Sequence, residues 1–405
     1  MILNEYSSLN NKQGFTAIRR EKTKLCIGLM SGTSMDSIDA ALVRITGSGL
    51  KTHIEVVGWH HYPFPYTVKR TLFNAITIDG IQLSRLSQLN FLIGEVFAET
   101  VLKLLKKFHI DAQSVDLIGS HGQTIWHHPQ KQRIARHFVS STLQIGEPAV
   151  ISARTGIPVV ADFRVKDVAL GGEGAPLIPY FDYLMFRSNK EHRGVLNLGG
   201  IANITVLPKN CTLEEVYAFD TGPGNMVIDE LARELFNQEK DTSGAISASA
   251  PPHKVLLSCM MNHPFIRKHP PKSSGREEFG SLFTKKLLKK ASRLQLSTAE
   301  IISTATEYTA RAIEENYIHF IKPNHSLKRI IVSGGGINNV ELMSRLKKYF
   351  SPIRIETSDD YGIPAECKEA VAFAVFANET ICGNPINIPK VTGAEKPAVC
   401  GKIIV

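Results

Sequence analysis

The chain has 405 residues, 43% hydrophobic and 21% charged, with a formal net charge of +9, a size and balance that fit a soluble globular protein of two domains. No apolar run approaches the ~20 residues needed to cross a bilayer, and the six cysteines stand singly, which excludes a C-x-x-C zinc or disulfide framework. The positive charge does not point to nucleic acid: Arg267 to Arg276 is Pro-rich and loop-like, while Lys285, Lys286, Lys289 and Lys290 share one side of a predicted helix without interleaved aromatics.

Residues 1–23 are polar and mixed in charge with no apolar stretch, which predicts a disordered extension, no export leader and a cytoplasmic location. Strand-like runs Leu25 to Leu29 and Ile38 to Ile45 flank a glycine-rich stretch, Gly28 to Asp36 (GLMSGTSMD), and place it in a β-hairpin. That placement, and the lack of a lysine, exclude Rossmann and Walker loops. Apolar residues at helical spacing from Leu86 to Leu105 predict an amphipathic helix. A strand, Val115 to Ile118, then delivers a polar turn, Gly119 to Thr124. A second, Ile157 to Ala161, ends in Asp162-Phe163-Arg164 ahead of a flexible Gly171 to Gly174, which suggests a domain junction nearby.

Strands Gly194 to Leu198 and Ile201 to Leu207, joined at Gly199-Gly200, predict a further hairpin that echoes the first in kind. Val216 to Phe219 is a strand ending at Asp220 in a second glycine-rich stretch, FDTGPGN. Ser297 and Glu300 form a capping box for a helix that Pro323 follows. Strand Arg329 to Val332 leads into a third stretch, SGGGINN, and a helix from near Val340. Glu369 to Ile381 reads as an apolar helix that can return the chain to the first domain. Alternating strands and helices in two halves favour an α/β fold with a cleft.

In the first stretch the glycines allow close backbone approach and Ser31, Thr33 and Ser34 offer hydroxyls, so consecutive amides can bind an anion, with Asp36 placed to hold a magnesium-bound water. A tight hairpin turn with a structural Asp fits that stretch equally well. Asp220 beside a phosphate loop is placed as a general base; capping the following helix is its other possible role. The Ser333 to Asn339 turn can pass a flat adenine ring, or serve only to join strand and helix.

Together the three stretches resemble the acetate and sugar kinase/Hsp70/actin superfamily, with two phosphate loops and an adenosine loop in that order. The strings GLMSGTSMD, GSHGQTIWH, LQIGEPA, DFRVKDVALGGEGAPL, LNLGGIANIT, FDTGPGN, SGGGINN and YGIPAECKEAVAFA are similar to the anhydro-N-acetylmuramic acid kinase family from Leu25 to about Ala394. The resemblance implies a two-domain actin-like ATPase (ribonuclease H-like) α/β fold with an interdomain cleft. Domain I would comprise 24–165 plus 385–405 and domain II 166–384. It also implies ATP and Mg2+ as cofactors, cleavage of the 1,6-anhydro bond of the sugar with phosphorylation of O6, and a role in cell-wall recycling. The small-molecule sugar is the expected partner, and a homodimer is expected.

By matching motif, Asp220 and Glu369 would be catalytic. The nucleotide and magnesium would meet Gly28, Ser31, Gly32, Thr33, Ser34, Met35, Asp36 and Asp39 in the first loop. They would meet Gly199, Gly200, Gly222, Gly224 and Asn225 in the second, and Gly334, Gly335, Gly336 and Asn338 in the third. His121, Gln123 and Thr124 are suited to sugar hydroxyl and N-acetyl contacts. Arg164 and Lys166, with Asp162 and Asp167 nearby, can pair with a lactyl carboxylate or form a structural ion-pair cluster. Two positions depart from the family: Ser37 stands where Gly is usual and Glu173 where Gln is usual, which puts the loop's backbone angles and the charge near a hinge in question. The segment Pro129 to Ser141, with Lys131, Arg133 and Arg136, is longer than usual and reads as a surface insert. An ordinary sugar kinase in which Asp220 deprotonates the sugar directly, and a nucleotide-driven actin- or Hsp70-like regulator, are the competing readings.

Overall fold

The computed structural model describes residue 18 and residues 21–32, 35–77 and 81–405. The expected N-terminal extension therefore lies almost wholly outside the described residues, as do Thr33 and Ser34. The chain forms two compact units, Met1–Leu184 with Glu369–Val405, and Met185–Lys368. The strands are β1 (Thr23–Ser31), β2 (Ser37–Thr46), β3 (His53–Pro63), β4 (Leu117–Ile134), β5 (His137–Ile145), β6 (Val159–Ala161), β7 (Arg193–Leu198), β8 (Ile201–Leu207), β9 (Tyr217–Pro223), β10 (Arg329–Ser333), β11 (Arg354–Thr357) and β12 (Lys402–Ile404).

In the first unit the sheet order is β12-β6-β4-β1-β2-β3, with β5 paired to β4. β1, β2 and β3 are antiparallel, whereas β1, β4 and β6 run parallel. In the second unit the order β11-β10-β7-β8-β9 repeats this scheme: β7, β8 and β9 are antiparallel and β7, β10 and β11 parallel. The echo between hairpins thus extends to whole sheets, giving the doubled ribonuclease H-like α/β arrangement.

The helix periods of the sequence explain what covers these sheets. Helix Leu83–Phe108 buries Leu89, Ile93, Phe97, Val101, Leu104 and Leu105 in one core with Ile27, Leu29 and Leu42 of β1 and β2. Helix Thr298–Asn316, started by the expected Ser297–Glu300 capping box, buries its apolar stripe in the second unit. Each large side chain so buried contributes roughly 1.5–3 kcal/mol. Lys285, Lys286, Lys289 and Lys290 are exposed on helix Ser281–Arg293, as a solvated face requires.

Several expectations are corrected. The unit boundaries fall at 184/185 and 368/369, not at 165/166 and 384/385. The reason is helix Lys368–Cys382, which is apolar on nearly every side and lies directly on the first sheet. A Cβ on Gly28 would sit 1.7 Å from the Ala370 carbonyl oxygen, and one on Gly119 2.1 Å from that of Phe373. The buried Glu379 carboxylate pins the helix by accepting from the Gly49 amide at 3.0 and 2.9 Å, Tyr180 Oη at 3.2 Å and Asn384 Nδ2 at 2.7 Å. Gly119 to Thr124 is not a turn but the inner part of β4, because its parallel pairing with β1 continues to Ser31 opposite Gln123. Asp220 lies inside β9, not at a strand end, because β8 pairs along it as far as Pro223. Gly171 to Gly174 belongs to the first unit and is held: buried Asp167 accepts from the Gly174 amide, Asn387 Nδ2 and Thr392 Oγ1, each at 2.7 Å. The 129–141 insert is the outer part of the β4–β5 ribbon, with Lys131, Arg133 and Arg136 exposed.

Gly28→Ala drives a methyl group into the Ala370 carbonyl, and is expected to lower stability by about 3 kcal/mol or more. Thermal and urea melts of the purified chain check this.

Candidate active site

In the first unit, register builds the glycine loop. β1 and β4 place Ser31 opposite Gln123, and Ser31 Oγ donates to Gln123 Oε1 at 2.6 Å, with the Ser37 carbonyl 3.2 Å away. Gln123 Nε2 donates to the carbonyls of Gly32 at 3.2 Å and Thr124 at 3.1 Å. Fully buried and satisfied at both ends, Gln123 is committed to holding the loop, so its side chain is not presented to a sugar. Met35, with φ 56°, is buried in the core and can offer a ligand only its backbone. Asp36 is well exposed and accepts from Lys69 Nζ at 2.6 Å. Asp39 is 2.5 Å from His61 Nδ1 and accepts from Ser37 Oγ at 3.0 Å. Ser37 sits in extended β2 and is not a positive-φ residue, so the absence of Gly there costs the loop nothing.

Behind the loop, His121 is buried and its ring is fixed at both nitrogens. Arg164 Nε donates to Nε2 at 2.9 Å, so Nδ1 carries the proton and donates to the Gly122 carbonyl at 2.9 Å. Burial, reinforced by the Arg164 cation, holds the imidazole well below its usual pKa and therefore neutral. Arg164 also donates from Nη1 to the Gly174 carbonyl at 2.8 Å, and the Glu369 and Asp167 carboxylates oppose the effect of its burial. Glu369 lies in the first turn of helix Lys368–Cys382. Thr124 is half-buried and accepts from Gln144 Nε2 at 3.2 Å. A cavity of about 310 Å3 lies beside this group, lined by Ser120, His121, Gln144, Glu147 and Asp162 among others. Lys166 is not brought to it: two residues beyond Arg164 on the short helix Val165–Ala169, it falls on another face and is exposed. Asp162 pairs with Lys402 at 2.7 Å, and Glu173 is exposed, its backbone donating to the Thr392 carbonyl at 2.7 Å, so its charge lies in solvent within the first unit.

In the second unit three glycine turns converge at the ends of β7, β9 and β10. The amides of Gly224 and Asn225 donate to the carbonyls of Gly200 at 2.9 Å and Gly199 at 2.8 Å. A Cβ on Gly224 would lie 2.2 Å from the Gly199 oxygen, and one on Gly336 2.5 Å from Leu198 Cβ. Gly334, at φ +87°, needs the left-handed region as well as the space. Gly335 faces open space, room enough on that side for a flat ring. Asn338 Nδ2 donates to Glu366 at 2.6 Å, and Asn339 caps helix Val340–Phe350 through Leu342 N at 2.9 Å. Beside the second turn, helix Met226–Phe236 starts from Asn225, so Asp220 is not its cap. The Asp220 carboxylate accepts from the Ser274 amide at 2.8 Å, and its own amide donates to the Lys272 carbonyl at 3.1 Å. Lys272 and Ser274 were not legible as site residues: they lie in a Pro-rich loop with no periodic pattern, some fifty positions from Asp220.

Magnesium fits this donor set. It keeps most of its waters and takes its remaining ligands from nucleotide phosphates, so it needs only one or two carboxylates, and Asp36 is an exposed one. Among the described residues, no group of three or more His, Cys, Asp or Glu forms an all-protein metal site.

Two sheets of repeated topology with glycine turns at their strand ends define an actin-like α/β fold. A family model described as anhydro-N-acetylmuramic acid kinase matches residues 24–405, and the chain belongs to that family. A relative of that name from Caldanaerobacter subterraneus subsp. tengcongensis is 45% identical over 388 residues, covering 95% of this chain and 98% of the relative. One from Salinibacter ruber is 40% identical over 389 residues, covering 96% and 98%. Among solved structures, the activator of the 2-hydroxyisocaproyl-CoA dehydratase from Clostridium difficile aligns at 11% identity and a TM-score of 0.43, over 88% of this chain and 95% of that one, too distant to bear on activity. Among the described residues no helix is long and apolar enough to cross a membrane.

Two outcomes follow from this geometry. Gln123→Met releases Ser31 and Gly32 and is expected to raise the nucleotide KM about tenfold, the equivalent of one net hydrogen bond, in steady-state assays. Unfolded His121 takes up a proton as pH falls through about 6.5 and the folded ring does not, so stability is complete above that pH and declines below it, by up to about 1.4 kcal/mol per pH unit. His121→Gln should flatten that decline in melts run across the acid range.

Proposed function

We propose that this protein is an ATP-dependent kinase that hydrolytically opens 1,6-anhydro-N-acetylmuramic acid and phosphorylates O6, giving N-acetylmuramic acid 6-phosphate and ADP during cell-wall recycling. The observation that carries the reading is Asp220, a part-exposed carboxylate on β9 held by backbone on both sides and adjacent to a glycine turn. Asp220 takes a proton from a water that attacks C1. The C1–O6 bond breaks, O6 attacks the γ-phosphorus, and the bond to ADP breaks as the new one forms.

In the first unit the loop that follows β1 would offer amides to the phosphates, with Gly28 to Ser31 holding it in the sheet. Asp36 would hold magnesium through water, and the ion when bound neutralises phosphate charge. Arg164, oriented by neutral His121, pairs with the sugar carboxylate, with Thr124 and Glu369 contacting its hydroxyls. In the second unit Gly199 and Gly200 receive phosphate on a turn that the Gly224 and Asn225 amides hold, while the Gly334 to Gly336 turn passes the adenine on the open side of Gly335. ATP is a cytoplasmic substrate, so the reading carries a cytoplasmic location. It also carries a homodimer, which would cover the exposed Trp126, Ile134 and Phe138 of the β4–β5 ribbon.

Turnover with ATP, magnesium and the anhydro sugar in heavy-oxygen water tests the proposal. Label is expected at C1 of the product; no turnover of the anhydro sugar, with turnover of a sugar that carries a free 6-hydroxyl, would favour direct deprotonation of an ordinary sugar. Asp220→Asn is expected to lower kcat about 10³-fold while both substrates still bind.

A further inference from the structure

The second unit buries a lysine for which the reaction above has no use. Lys272 is 5% exposed, and lysine is almost never buried unless something compensates its charge. Its ammonium donates to the carbonyls of Phe265 at 3.0 Å and Ile266 at 3.2 Å. Three rings surround it, with centroids at 4.8 Å for Phe265, 4.9 Å for Phe320 and 5.9 Å for Phe219, a cage suited to a cation. The same short segment grips Asp220 twice: the Lys272 carbonyl accepts the Asp220 amide, and two residues on the Ser274 amide donates to the Asp220 carboxylate.

We propose that Lys272 is a positioning residue for Asp220: its caged ammonium anchors the segment whose backbone clamps the carboxylate, and the Ser274 amide so held favours the proton-accepting form. The proposal rests on Asp220 being the general base. Burial lowers the ammonium to about 8, an effect opposed by Asp220 and increased by Lys268. The charged groups that act on it are Asp220 from β9 and Lys268 on its own loop, and His269 packs against Phe320 of the cage, next to which His319 pairs with Glu315. At neutral pH the cation is present; as pH rises through about 8 it is lost.

The test uses the full chain, with kcat, both KM values and pH profiles for Lys272→Met, alone and with Asp220→Asn. Lys272→Met is expected to lower kcat about 100-fold with each KM within about threefold of normal. Its acid limb should move to higher pH and the alkaline limb near 8 should vanish. Added to Asp220→Asn it should have no further effect on the residual turnover. If Lys272→Met does not fold, Lys272→Gln, which keeps a polar but uncharged tip in the cage, should show the same acid-limb shift. An unmoved acid limb in a folded variant, or the same loss of kcat in both backgrounds, overturns the proposal. Near-normal turnover of Asp220→Asn by itself would instead refute the base assignment on which it rests.

Discussion

The backbone of helix Lys368–Cys382 lies against β1 and β4 so closely that only glycine fits at Gly28 and Gly119, and the first unit's site takes its position from that contact. The two glycines are themselves register partners, so one helix sets the height of both strands that feed the site. The strand carrying Gly28 runs on into the phosphate-loop candidate, and the strand carrying Gly119 continues to His121 and Gln123. The same helix presents Phe373, whose ring centroid lies 4.8 Å from that of His121, and carries Glu369 in its first turn. Glu379 prevents this element from sliding, because a buried carboxylate with several donors is costly to displace.

The second unit reaches a similar end by different means. Its glycine turns pack on one another around Leu198, Gly199 and Gly200, and helix Thr298–Asn316 holds β9 by side chains, Thr309 Oγ1 donating to the Gly224 carbonyl at 3.0 Å and Asn316 Nδ2 to that of Thr221 at 2.9 Å. Gly224 and Gly336 admit no side chain, whereas Gly335 looks outward. The contrast separates glycines that hold a site together from the one that leaves room for a ligand. In Asp220 both kinds of constraint meet: its backbone is locked by sheet and loop, while its carboxylate retains access to solvent.

Much of this was legible in the sequence where local chemistry and tertiary structure agree. The hairpin around Gly199-Gly200, the Ser297–Glu300 cap and the long amphipathic helix follow from turn residues, capping and period. Reading failed where glycine and polar residues lie inside strands. Gly119 to Thr124 and Asp220 to Pro223 look like turns, yet pairing with β1 and β8 extends the ladders through them. No local signal announced that Gln123 faces Ser31, since that depends on parallel register between segments some ninety residues apart. Lys272 was hidden for the same reason, its partners lying on β9, a short helix and the Tyr317–Ile321 turn. Eight motif blocks in order, not any one of these features, indicated the family.

The first unit is built from two separated stretches of chain, and this bears on how the protein is made. During synthesis β1 to β6 leave the ribosome long before helix Lys368–Cys382 and β12, so the sheet face that this helix covers stays open to water while the whole of the second unit is translated. The inserted unit is continuous and can complete its core first, inverting the usual N-to-C order of domain maturation. The last segment to emerge is then the one that closes the first unit, and a nascent chain stalled before Glu369 would display a glycine-floored apolar surface of the kind holding chaperones bind.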